Sequence, residues 1–184
     1  MIKRSKEPPP RLRVLEDQEY ERLLKACEQV DLIYLEKAFV FSIETTMRQG
    51  ELLNAMWEHV NFEKRTLFIP DTKTGYLSKD LTSNRTIPLS SLALKTLKEL
   101  SRHITGKIFP ITRDMLNQKW KLAKKKAKIK DYHWHDNRCT GISWCFEKKN
   151  LDVSEVMTIS GHKSPTILLK RYTKLNPTKI AMKI

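Results

Sequence analysis

Across 184 residues, 40% of them hydrophobic, the chain is long enough for one domain with a substantial core. Its 35 Lys and Arg against 21 Asp and Glu leave a formal net charge of +14, which favours a polyanionic partner, either nucleic acid or an acidic membrane surface. No apolar run approaches the roughly 18 residues of a membrane span, and the opening residues lack a signal-peptide pattern. Cys27, Cys139 and Cys145 are odd in number and lack zinc-site spacing, which points to a reduced, intracellular compartment.

At the start, Lys3, Arg4 and Lys6 precede Pro8, Pro9 and Pro10. Three successive prolines exclude a helix and favour a stiff extended segment, so 1–12 reads as a linker and 13–184 as the domain. Tyr20, Leu23, Leu24 and Cys27 recur at helical spacing over 17–30. Asp31 is placed to cap a second helix, apolar through Leu35, Ala38, Phe39 and Ile43. A third, short helix is expected over 49–57.

The period then changes. Segments 60–61, 66–69 and 85–89 are short and rich in β-branched and apolar residues, which predicts a small antiparallel sheet. Between the last two lies a polar connection containing Lys73, Gly75 and Lys79. Helices resume over 91–102, 113–128, 136–149, 153–160 and 165–172, and no internal repeat is present. The predicted fold class is mainly α with a small antiparallel three-stranded β-sheet. In the helix over 113–128, Leu116, Trp120, Ala123 and Ala127 form a core-facing stripe. Lys119, Lys121, Lys124, Lys125, Lys126 and Lys128 cover much of the remainder, as either a solvated face or a phosphate-binding one.

Four segments carry candidate chemistry. The first runs from Glu44 through Arg48, Gln49, Gly50 and Glu51 to Leu53, and the second is Asp71-Thr72-Lys73-Thr74-Gly75. The third is His135-Asp136-Asn137-Arg138, and the fourth extends from Ser160-Gly161-His162 to Arg171-Tyr172. In this order they resemble the tyrosine recombinase (phage integrase) family, specifically its C-terminal catalytic domain, over about residues 12–176. Each segment alone is weakly diagnostic, whereas all four in order are specific.

The resemblance implies the integrase-like fold of DNA breaking-rejoining enzymes and a role for each matching residue. Arg48 matches the family's first catalytic arginine, and Glu51 its supporting acid. Lys73 matches the hairpin lysine, His135 and Arg138 the histidine and second arginine, His162 the later histidine, and Tyr172 the nucleophile. The implied activity is site-specific DNA recombination, with strand cleavage and rejoining through a covalent 3′-phosphotyrosyl intermediate. The implied partners are double-stranded DNA and, for a full-length protein, other recombinase subunits in a tetrameric synapse, with no membrane. The implied setting is the cytoplasm of a bacterial or phage-infected host cell. Family members carry an N-terminal core-binding domain, from which 1–12 would be the linker.

The chemistry explains the residue types. A phosphodiester under attack gains negative charge, and a guanidinium stabilises that charge as a planar fork without changing protonation state. His135 and Arg138, three apart, share a helix face, and a helix starting near Asp136 would add its N-terminal dipole. A phenol, with a pKa of about 10, is a good later leaving group, so the phosphotyrosyl bond conserves the energy needed for rejoining. His135 would accept the tyrosine proton, His162 would hydrogen-bond the phosphate, and Lys73 would protonate the departing 5′ oxygen. No metal or nucleotide cofactor is needed for these steps, and the sequence has no carboxylate cluster suited to two-metal phosphoryl transfer.

Alternatives stand beside this reading. A type IB topoisomerase shares the constellation, and a non-catalytic DNA-binding regulatory module would use the same basic surface. Arg48 beside Glu51 also fits a plain ion pair, and His133 with His135 a weak metal pattern. Lys79 is the alternative general acid to Lys73, and Tyr132 the alternative nucleophile to Tyr172. The interval from His162 to Tyr172 is ten residues, one more than is usual in the family, and is expected to be absorbed in the loop near 163–166. Asn137 and Cys139 replace a leucine and a histidine that often flank the second arginine, and are expected to be packing changes.

Overall fold

The computed structural model describes residues 12–70 and 84–172, with only the backbone of 170–172. Residues 1–11 of the expected linker over 1–12, and the connection bearing Lys73, Gly75 and Lys79, lie outside the described residues. In chain order the elements are α1 (Asp17–Glu28), α2 (Leu35–Thr45), α3 (Gln49–Leu53), a 3₁₀ turn at Trp57–His59, β1 (Val60–Asn61), β2 (Thr66–Ile69) and β3 (Arg85–Pro88). There follow α4 (Ser91–Lys98), α5 (Arg113–Lys126), α6 (Asp136–Glu147), α7 (Val153–Ser160) and α8 (Pro165–Tyr172). The strands pair antiparallel in the order β1-β2-β3, with Leu67 opposite Val60 on one side and Ile87 on the other. The architecture is thus mainly helical with one three-stranded antiparallel sheet.

α2 is the central helix because it is apolar nearly all round: Leu35, Ala38, Phe39, Phe41 and Ile43 are buried. It packs against α1, α4 and α6. The expected α5 stripe is buried, and the Trp120 ring meets Phe39 at 5.3 Å and Trp134 at 4.9 Å between centroids. Fully burying one such side chain contributes about 1.5–3 kcal/mol. A second cluster, Cys139, Ile142, Cys145, Val156, Ile159 and Leu168, joins α6, α7 and α8.

The crossing of α2 and α6 is unusually close. A Cβ at Gly141 would lie 2.2 Å from the Ile43 carbonyl oxygen, so only glycine admits the two backbones to this separation.

Several boundaries differ from expectation. The helix expected over 49–57 stops at Leu53, because the following backbone pairs with the segment 106–108. Ile108 N–H donates to Ala55 O at 2.9 Å and Trp57 N–H to Gly106 O at 2.9 Å. Asp31 does not cap α2, which begins three residues later than a cap there would require, after Tyr34 and without a side-chain cap. The helix expected over 136–149 closes at Glu147: Asn150 turns left-handed at φ 53°, and Leu151 N–H returns to Cys145 O at 2.9 Å. The helix expected over 91–102 ends at Lys98.

Candidate active site

α2 terminates at Thr46, which adopts the left-handed conformation (φ 52°), and the chain re-enters a helix with Arg48 as the N-cap of α3. Glu51, in the first turn of α3, reaches back to accept the Arg48 N–H at 2.8 Å and Arg48 Nη1 at 2.9 Å. One carboxylate therefore holds both ends of Arg48. A second arginine grips the same group. Arg85, the first residue of β3, donates Nη1 to Glu51 Oε1 and Nη2 to Oε2, both at 2.9 Å, in the forked geometry that makes arginine–carboxylate pairs strong.

Glu51 is only 7% exposed. Burial alone would raise its pKa, but the hydrogen bonds and charge of Arg85, with the N–H and charge of Arg48, reverse this and bring it to about 2. The carboxylate is therefore ionised at neutral pH. Arg85 also lies against Gly161, where an added Cβ would sit 2.8 Å from Arg85 Cδ and Nε. Gly161 is left-handed at φ 70° and closes α7.

Arg138, one turn into α6, is 5% exposed. Its Nη1 donates to Thr46 O at 2.6 Å and its Nη2 to Ser160 O at 2.6 Å. Thr46 ends α2 and Ser160 ends α7, so the acceptors are carbonyls that helix termini leave without intrahelical donors. The negative end of each helix dipole adds to the hold on the cation. Ser160 Oγ in turn meets His162 Nδ1 at 2.7 Å. Arg48 is two residues beyond Thr46, and His162 two beyond Ser160. One guanidinium thus gathers three segments that are far apart in the chain.

His135 is the exposed N-cap of α6, one turn from Arg138. The neighbouring His133 makes an ion-pair contact with Asp136, Nδ1 to Oδ2 at 3.5 Å, and Trp134 between the two histidines is buried. Among the described residues, no group of three His, Cys, Asp or Glu is placed to hold a metal. Lys73 and Lys79 lie outside the described residues. Tyr172 is the last residue of α8, which follows α7 after the connection 161–164 and packs on α6 and α7. The Tyr172 side chain is outside the description. The candidate Arg48, Glu51, Arg138 and His162 are therefore brought together, with His135 beside them at the head of α6.

Tyr132, the alternative nucleophile, is not placed to reach a phosphate in solvent. It is fully buried, its hydroxyl pairs with Thr140 Oγ1 at 2.9 Å, and burial pushes its pKa up. Asn137 and Cys139 are packing residues: Asn137 Nδ2 donates to Ser42 Oγ at 3.1 Å, and Cys139 joins the α6–α8 cluster. Alongside the site, Gln49 Nε2 donates to Asn117 Oδ1 of α5 at 2.8 Å. Asn117, Lys121 and Lys124 follow one another at i, i+4, i+7, so a stripe of α5 leads away from Arg48. Among the described residues, none of the six lysines from Lys119 to Lys128 forms an ion pair.

Arg85 and Ser160 belong to none of the roles that the sequence pattern assigns. A basic residue opening an otherwise apolar, β-branched strand was the available signal for Arg85. Its partner could be identified only from the fold.

A family model described as the phage integrase family matches residues 13–179. A shufflon-specific DNA recombinase of Escherichia coli is 33% identical over 184 residues, covering 100% of this chain and 46% of that protein. The catalytic domain of bacteriophage HP1 integrase superposes with a TM-score of 0.71 at 21% identity, covering 95% of each chain. A lambda integrase dimer bound to a COC′ core site gives a TM-score of 0.72 at 19% identity, over 92% of this chain and 50% of that one. At those identities the two structures share the fold. The chain spans about half the length of the curated relatives it matches.

Proposed function

The chain belongs to the phage integrase family, and we propose that it is the catalytic domain of a site-specific DNA recombinase that cuts and rejoins DNA through Tyr172. The observation that carries this reading is the fork of Arg138, which ties the Arg48 segment to the His162 segment through Thr46 O and Ser160 O. Two guanidiniums and an imidazole on convergent segments suit one phosphodiester.

In this mechanism the Tyr172 Oη attacks phosphorus, its proton passes to His135, and the bond to the 5′ oxygen breaks. Lys73 supplies the proton for the departing oxygen. Arg48 and Arg138 stabilise the charge gathering on the non-bridging oxygens, and His162 adds a hydrogen bond. The reverse sequence rejoins the strand, with the bond energy held in the phosphotyrosyl link. The fixed positive charge of the arginines supports a reaction that continues in a chelator.

DNA would approach from the exposed side of Arg48, with the lysine stripe of α5 following the phosphate backbone. The relatives are recombinases and integrases, which favours recombination over simple relaxation. Pairing of sites in a tetramer is proposed for the longer protein of which such a domain is part.

The test is covalent trapping on a duplex nicked beside the cleavage position, so that the released fragment diffuses away. The chain is expected to form an adduct that survives denaturation. Tyr172→Phe should bind DNA comparably and form none. An undiminished adduct from the Phe variant would move the nucleophile elsewhere.

A further inference from the structure

We propose that Arg85 is a positioning residue of this site, setting both the charge and the aim of Arg48 through the carboxylate they share; the inference rests on the cleavage chemistry proposed above. Arg48 and Glu51 alone make a neutral pair. A phosphate arriving at such a pair meets a guanidinium whose charge is largely cancelled. Arg85 takes both oxygens of Glu51 and returns the three-group cluster to a net charge of +1.

Exposure divides the labour. The side chain of Arg48 is 41% exposed and that of Arg85 15%, so Arg48 faces the incoming phosphate and Arg85 stands behind the carboxylate. Arg85 also packs on Gly161, immediately before His162, so one side chain braces the supports of two phosphate-binding groups.

A purely stabilising ion pair is a poor account of this residue. Buried pairs add little net stability compared with apolar replacements. Arg85 Nε is moreover buried with no hydrogen-bond partner among the described residues, which is a cost. The arrangement makes sense if the charge itself is needed.

The experiment compares the wild-type chain with Arg85→Met, Glu51→Gln and the double variant. Single-turnover cleavage at saturating DNA is read beside DNA affinity, thermal melting and carbon-13 NMR titration of Glu51 in the free chain. Arg85→Met should cleave at least about tenfold more slowly, a fraction of what losing a direct oxyanion donor costs. DNA affinity should fall by less than the cleavage rate does, since Arg85 stands behind the carboxylate and one cluster is a small part of the basic surface. The double variant should cleave faster than Arg85→Met, because the neutral amide at position 51 still accepts from Arg48 but no longer cancels its charge. A strut without an electrostatic role gives no such rescue, and a double variant no faster than Arg85→Met overturns the inference.

If Arg85→Met proves too unstable to assay, the comparison is between Glu51→Gln and the double variant. With the charge on residue 51 gone, loss of Arg85 should matter by no more than about twofold. A double variant far slower than Glu51→Gln refutes the proposal. A wild-type chain that forms no adduct would sink the cleavage reading, and the NMR arm then decides alone. Glu51 should titrate near about 2 in the wild type and clearly higher in Arg85→Met; an unmoved titration overturns the inference.

Discussion

Gly141→Ala sets two effects of opposite sign against each other. Inside a helix, alanine is favoured over glycine by about 1 kcal/mol, so propensity alone predicts a stabilised protein. The added methyl, however, would come 2.2 Å from Ile43 O and 3.0 Å from Thr46 Cγ2. Relief requires the α2 and α6 backbones to separate by about 1 Å to reach ordinary van der Waals contact. Overpacking of this kind costs about 1–3 kcal/mol, and main chain on both sides places this case in the upper part of that range. The net is a loss of about 1–2 kcal/mol, or a fall in Tm of about 2–8 °C for a chain of this size.

Activity should suffer more than stability. Thr46 O lies 2.6 Å from Arg138 Nη1, at the same helix crossing, and Arg48 follows two residues later. A displacement near 1 Å in the proposed phosphate-binding site should reduce the rate by about 10²-fold. Circular dichroism melting and single-turnover cleavage at 25 °C, well below the transition, separate the two effects. An alanine variant that melts at or above the parent would refute the packing argument. One that melts lower but cleaves normally would refute the link from the crossing to the site.

Glu51 should leave a signature in acid. Its folded pKa, about 2, lies below the ordinary 4.5, so its contribution is complete above about 4.5 and is lost as pH falls toward 2. Urea unfolding of the wild type should therefore weaken through that window more steeply than that of Glu51→Gln; matching slopes would discount the brace. Lys73→Ala should cleave normal DNA slowly but recover on DNA with a bridging 5′ sulfur, whose thiol has a pKa of about 8.5 and leaves without a proton. Lys79→Ala should show little defect on either substrate, and equal slowness of Lys73→Ala on both would remove Lys73 as the acid. DNA affinity should fall linearly with salt on logarithmic axes, and Lys121→Ala and Lys124→Ala should each lower the slope by about 1. An unchanged slope in both would detach α5 from the DNA.

What could be read in the chain was what is periodic or local. The α5 stripe, the three strands and the pairing of Arg48 with Glu51 three residues away all follow from spacing, and the structure contains them. Contacts between distant segments could not be read this way. Gly141 looks like an ordinary helix-weakening glycine until Ile43 is found above it. Arg85 and Glu51 are separated by a long connection, and nothing local in either segment names the other. The shortened third helix has the same cause: Ala55, Met56 and Trp57 have partners fifty residues away that compete with the next helical turn. Tyr132 illustrates the converse, since a tyrosine beside candidate site residues reads alike whether it faces solvent or the core.

The two arginine holds differ in how they tolerate evolutionary drift. Arg138 is held by main-chain carbonyls of Thr46 and Ser160, and every amino acid supplies a carbonyl. Those two positions can change identity without removing an acceptor, as long as the local backbone course survives. Arg85 and Glu51 hold each other through side chains alone, so either can be lost to a single codon change. Among descendants of this domain, positions 46 and 160 should therefore vary independently of Arg138. Positions 51 and 85 should instead change as a couple, with loss of the acid and loss of the second arginine occurring in the same lineages.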